Sequence, residues 1–120
     1  MKACLRIRID FEEGTILSPG KVRLLEFVDE CGSLEGAAAT IGMSCAQARW
    51  VIDGLEELFG APLVVTDDSS GRHAKLSELA RKVVDRYRAA ERTSAMAAER
   101  LLGELVSLAP DKQGGDTGSR

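Results

Sequence analysis

The stretch that most constrains this chain runs from Ser33 to Gly60, SLEGAAATIGMSCAQARWVIDGLEELFG. It reads as two short helices joined by a tight turn, a helix-turn-helix. Ser33 is an N-cap whose hydroxyl can accept a hydrogen bond from an orphan backbone N–H. Leu34, Ala37, Ala38 and Ile41 then recur at helical spacing. The small residues from Gly36 through Ala39 would let another helix approach closely. Gly42 is the stop, where a positive φ costs glycine little, and Met43 plugs the turn. Ser44 opens the second helix, and Gln47 three residues later completes a capping box. Ala48, Val51, Ile52, Leu55, Leu58 and Phe59 form its inward face, with Gly60 and Pro62 ending it.

The outward face of the second helix is where function is expected. Cys45, Ala46, Arg49 and Asp53 point away from the apolar stripe, with Gln47 and Trp50 at its borders. The second helix of such a pair can lie in the DNA major groove. An arginine and a glutamine near its start suit guanine and adenine edges. The face carries one basic residue, followed by Asp53, Glu56 and Glu57, less positive charge than a phosphate-binding helix normally has. The plain alternative is an ordinary helix pair packed into a small domain.

Composition narrows the classes. A chain of 120 residues allows one domain with an extended arm, and 44% hydrophobic residues support a small core. A net charge of −3 argues against a generally basic, non-specific nucleic-acid binder but leaves room for a local patch. Cys4, Cys31 and Cys45 are odd in number and lack CxxC spacing, so neither a disulfide framework nor a zinc site is indicated. No run approaches a membrane span and no signal peptide is visible, so a reduced, cytoplasmic setting is expected. There is no internal repeat.

The rest of the chain frames the helix pair. From Leu5 to Phe11 apolar and polar residues alternate, which predicts a half-buried strand. Glu12-Glu13-Gly14 makes a turn. Ser18-Pro19-Gly20 opens a helix that buries Val22, Leu25, Phe27 and Val28 and ends near Cys31-Gly32. After Gly60, residues Ala61 to Thr66 form a β-branched strand. Asp67 to Gly71 is a turn by composition, and Arg72 to Leu76 returns as a second strand. A hairpin directly after the second helix stands where a wing would. Arg72, His73 and Lys75 put positive charge there, while Asp67 and Asp68 at the tip would be repelled by phosphate.

Ser77 caps the last element, a helix expected from Glu78 to about Leu108. Its apolar positions include Leu79, Val83, Tyr87, Ala90, Ala97, Leu101, Leu105 and Leu108, mostly three and four apart. Left uncovered, that stripe would be an exposed apolar patch, so a second copy is expected to cover it through Val83, Tyr87, Ala90, Ala97, Leu101, Leu105 and Leu108. The expected organisation is a winged domain over 1–76, the long dimerisation helix over 77–109 and a tail over 110–120, disordered by composition.

In this order (strand, helix, helix-turn-helix, wing, long helix) the chain resembles the N-terminal DNA-binding region of the ModE family of molybdate-responsive regulators. More distantly it resembles the LysR-type winged domain. The likeness is carried by LRIRID from Leu5 to Asp10, by SPGKVRLLEFVDECGSLEGAAATIGMSCAQARWVIDGLEELFGAPLV from Ser18 to Val64, and by KLSELARKVVDRYRAAE from Lys75 to Glu91. The resemblance implies a winged helix-turn-helix transcription regulator, dimerising through its first strand and long helix and binding a palindromic operator. Where ModE-like sequences place an aromatic and then basic residues, this one has Cys45, Ala46 and Gln47. The family's C-terminal molybdate-binding region would not fit after this helix, so no direct molybdate site is expected.

The fold class expected is mainly α with a small β component. The function expected is transcription regulation by a homodimer on double-stranded DNA, with Ser44, Cys45, Ala46, Gln47, Arg49, Trp50, Arg72, His73 and Lys75 at the interface. Arg49 is the first choice for a contact, against an i,i+4 pair with Asp53. Trp50 is expected to pack against the wing or first helix rather than read a base. Cys45 is a candidate redox switch or, more plainly, a small neutral residue at the DNA surface. His73 is too isolated for a metal ligand. No nucleophile–base pair or acid–base carboxylate pair is evident, so no enzyme, metal or cofactor is expected. The rival is a winged domain that has lost DNA binding and serves as a protein-interaction module, favoured by the acidic helix and overall charge.

Overall fold

The computed structural model describes residues 1–66 and 73–110. The expected turn at Asp67 to Gly71, Arg72 and the tail from Asp111 lie outside the described residues. In chain order the elements are β1 (Ile9–Asp10), β2 (Ile16–Leu17), α1 (Pro19–Cys31), α2 (Leu34–Ile41), α3 (Cys45–Phe59), β3 (Val64–Thr66), β4 (Ala74–Leu76) and α4 (Glu78–Leu108). The chain divides into two compact units, Ile7–Arg88 and a second made of Met1–Arg6 with the chain from Ala89 onward. The division falls inside α4, so its first turns belong to the winged unit.

Local chemistry sets the helix ends. Pro19 occupies the first position of α1, where its missing N–H is no loss. The Gly32 N–H closes that helix onto the Val28 carbonyl at 2.9 Å. The Ser33 hydroxyl accepts the Gly36 N–H at 2.9 Å and starts α2. A Cβ on Gly36 would stand 2.9 Å from that hydroxyl and 3.1 Å from Cys31 Cβ, so the close approach here needs glycine. Gly42, at φ 90°, turns the chain toward α3. The capping box of α3 is complete. Ser44 Oγ accepts the Gln47 N–H at 3.0 Å, and Gln47 Oε1 accepts the Ser44 N–H at 3.1 Å.

The core of the Ile7–Arg88 unit takes residues from every helix and from the β3–β4 hairpin. Val22, Leu24, Leu25 and Val28 of α1 meet Leu34, Ala37 and Ala38 of α2 and Ala48, Ile52 and Leu55 of α3, closed by Leu63, Leu76, Ala80, Val83 and Tyr87. On α1 the buried set differs from expectation. Leu24 is fully buried, and Phe27 only half so, under the Arg23 guanidinium at 4.1 Å from its ring centre. The reason is that α1 is covered on two sides, by α2 and by β4, which widens its apolar face beyond one stripe.

The first strand is shorter than its alternation predicted. Ile7, Ile9 and Phe11 are half-buried and Arg6, Arg8 and Asp10 exposed, as the pattern requires. Only Ile9 and Asp10 are paired, antiparallel to Leu17 and Ile16. The partner strand, which sequence periodicity missed, is cut off where Ser18-Pro19 starts α1, so the ladder has nothing further to bond.

Besides the packing of Ala80 and Val83, Tyr87 and Arg88 tie α4 into this unit by hydrogen bonds. The Tyr87 hydroxyl donates to the Ile7 carbonyl at 2.6 Å. Arg88 forks onto Glu26, with Nε–Oε2 at 2.9 Å and a second bond at 2.8 Å to Oε1, which also accepts from Arg23. These guanidinium bonds, Arg88 first, hold the Glu26 carboxyl below the usual carboxylate range against a smaller opposing effect of burial. Tyr87→Phe keeps the ring but leaves the Ile7 carbonyl without its donor; urea unfolding should show a loss of about 1–2 kcal/mol. Because the folded pKa of Glu26 is depressed, its stabilisation is present above the unfolded value of about 4.3 and is lost as pH falls through the lower folded value. Glu26→Gln should therefore lower stability at pH 7 and flatten the acid side of the stability–pH curve.

Candidate nucleic-acid interface

The exposed half of α3 is set by what the other half buries. Ala48, Ile52 and Leu55 are fully buried. At 100° per residue the direction opposite them is held by Ala46, Trp50, Asp53 and Glu57, with Cys45 and Arg49 to one side. All six are exposed. Trp50 is the correction here. It was expected to pack against the wing or first helix, and it is instead 76% exposed. The Ile52-centred apolar face points elsewhere, so nothing in the core reaches its ring. One side of it borders an open cleft of about 460 Å³ shared with Gly14, Thr15, Lys21 and Glu57.

Polar roles on this face also become specific. Gln47 is engaged in the capping box, so the side chain suited to an adenine edge already has its carbonyl occupied. The pairing of Arg49 with Asp53 is not formed, and Arg49 has no ion pair or hydrogen bond among the described residues. Ser44 spends its hydroxyl on the cap, while Cys45 is an exposed free thiol.

The hairpin beside α3 is short. Val64, Val65 and Thr66 face Leu76, Lys75 and Ala74. Its root is fixed by atoms outside the ladder. Glu56 Oε2 accepts the Leu63 and Val64 N–H groups at 2.8 and 3.2 Å. The Gly32 carbonyl accepts the Ala74 N–H at 2.8 Å, and Asp29 Oδ1 accepts from Leu76 at 3.3 Å. Ser77 donates to Pro62 and also caps α4 through Ala80. Glu56, counted from sequence among acids unfavourable to DNA, is thus occupied by backbone. Its partners lie seven and eight residues on, and Asp29's lies 47 away. No local pattern signals such pairings. His73 and Lys75 are exposed, and Arg72 lies outside the described residues.

The residues expected to dimerise separate into two groups. Val83 and Tyr87 are 9% and 2% exposed in their own core, so they are already used within one chain. Ala90 is half-buried and Ala97 exposed, and Leu101, Leu105 and Leu108 are 51%, 61% and 81% exposed. Met96, which the sequence reading did not single out, joins them at 75%. Among the described residues no three His, Cys, Asp or Glu gather as metal ligands, and no helix is long and apolar enough to cross a membrane.

No protein-family model matches the chain. It is similar to the molybdenum transport protein ModE of Azotobacter vinelandii, with 34% identity over 102 residues, 83% of this chain. The chain spans 38% of that relative's length. In structure it is similar to the DNA-binding domain of CbnR, from a crystal structure of its DNA complex, with a TM-score of 0.56 and 16% identity. That likeness covers 71% of this chain and 94% of the other. The fold is therefore a winged helix with a long C-terminal helix, and the ModE-type resemblance holds over most of the chain.

If Glu56 fixes the hairpin root, Glu56→Ala strands two N–H groups and should cost about 1–3 kcal/mol in denaturant unfolding. Glu56→Gln keeps an acceptor and should cost less than half of that.

Proposed function

We propose that this chain is the DNA-binding part of a ModE-type transcription regulator that acts as a homodimer. The observation that carries the reading is that, among the described residues, the outward face of α3 makes no contact that commits it within the chain, while the hairpin next to it is anchored at its root. A capped helix with a free face beside an anchored wing is the arrangement that places one helix in a major groove and a hairpin on the flanking backbone. Sequence likeness to ModE and fold likeness to a DNA-binding domain support it.

In this reading α3 enters the groove from its Ser44 end, with Cys45, Ala46, Gln47, Arg49 and Trp50 against the bases and first phosphates. His73 and Lys75, with Arg72, meet the backbone. A second copy covers Leu101, Leu105 and Leu108, together with Ala97, since three exposed leucines on one helix are an apolar surface that association removes from water. Two-fold symmetry then requires a palindromic operator with half-sites whole helical turns apart. Asp53 and Glu57 on the same face, with a net charge of −3, favour the second reading, a winged module that binds protein instead.

Fluorescence anisotropy against a random duplex pool and a duplex selected from it, across a salt series, decides between them. Binding should weaken steeply with salt, the slope counting phosphate contacts; no binding at low salt would leave the protein-binding reading. Arg49→Ala should cost about 1–3 kcal/mol on the selected duplex only. Lys75→Ala should weaken all duplexes alike and reduce the salt slope by about 1. Leu101→Glu with Leu105→Glu should give a monomer in sedimentation velocity at concentrations where the parent is a dimer.

A further inference from the structure

The lone tryptophan of the chain stands, 76% exposed, in the middle of the face opposite the core of α3. A large exposed indole is unusual on a helix whose apolar residues are otherwise turned inward. Its neighbours on that face are Ala46, four residues before it, and Asp53, three after it. Ala46 adds a methyl to the indole and no hydrogen-bonding group. Helical side chains lean toward the N-terminus, so an indole at this position can reach over the turn that carries Ala46, at the end of α3 nearest the bases in the proposed docking, while its other side borders the cleft with Gly14, Thr15 and Lys21. The centre of the reading face is thus apolar, while its cation, Arg49, sits to one side.

In the major groove only one base feature is apolar, the C5 methyl group of thymine. We propose that Trp50 is a specificity-determining residue that reads a thymine methyl in each half-site, with Ala46 completing the apolar surface. This rests on the proposed entry of α3 into the major groove. Burying one methyl between indole and helix is worth about a fourfold change in affinity. Removing the indole loses that discrimination and leaves the backbone contacts proposed for His73 and Lys75 in place.

The test uses the full chain, the duplex selected by the parent protein and the same duplex with each thymine replaced in turn by deoxyuridine, which removes only the methyl. For the parent, replacement at one thymine per half-site should weaken binding about fourfold, and emission from Trp50, the sole indole, should shift on saturation. In Trp50→Ala the same replacement should cost nothing, affinity should fall more on the selected duplex than on random duplex, and circular dichroism should be unchanged, as the side chain supports no core. Trp50→Phe should keep part of the sensitivity to deoxyuridine. Unchanged deoxyuridine sensitivity in Trp50→Ala, equal losses on selected and random duplexes, or tryptophan emission unmoved by saturating DNA would each overturn the assignment while leaving groove entry intact. A parent protein that shows no preference between selected and random duplexes overturns both.

Discussion

A hairpin of three-residue strands cannot hold itself in water, and among the described residues the wing of this protein has three paired positions in each strand. What holds it is the Glu56 carboxylate, which receives two successive backbone N–H groups at the start of β3, together with the Asp29 carboxylate and the Gly32 carbonyl on the other strand. Charge-assisted bonds of this kind are about twice as strong as neutral ones. They also join three elements at one place. The C-terminal half of α3, the end of α1 and the wing meet at these bonds, which act together with the burial of Leu63, Ala74 and Leu76 to fix the angle between helix and wing.

The same economy runs through the helix-turn-helix. Ser33, Ser44 and Gln47 satisfy the helix starts, Gly32, Gly42 and Gly60 the ends, and each joint is only two or three residues long. The core is correspondingly small and all of it lies between Leu17 and Tyr87. Tyr87 and Arg88 then carry the load of attaching α4, one by a hydroxyl to the backbone of Ile7 and one by a fork onto Glu26. Beyond Arg88 the helix has no buried residue among the described residues, and its leucines stay exposed.

Much of this was legible in the residues. Caps, glycine stops and the bounds of α4 follow from rules that act within four residues, and those rules are local enough to read in one dimension. The alternation of Leu5 to Phe11 gave the correct burial but not the extent of pairing, because pairing depends on a partner whose length is set by Pro19. Phe27 and Leu24 exchanged places because the number of neighbours around α1 is a tertiary fact. Trp50 was misplaced for a related reason: an aromatic one step from an apolar stripe looks buried until the stripe's centre is known, and here it is centred nearer Ala48, Ile52 and Leu55. Glu56 and Asp29 had no signal at all, since their bonds close over distances that no periodicity records.

The anchoring bonds have a consequence for descent. Every group that holds α3 and the wing in place belongs to the buried stripe, the caps or the wing root, and none belongs to Ala46, Arg49, Trp50 or Asp53. Substitutions at such exposed positions generally change stability by less than about 0.5 kcal/mol. These exposed positions can therefore drift while the scaffold is left alone. A lineage of such chains can vary this face by single steps, each intermediate folding as well as its parent.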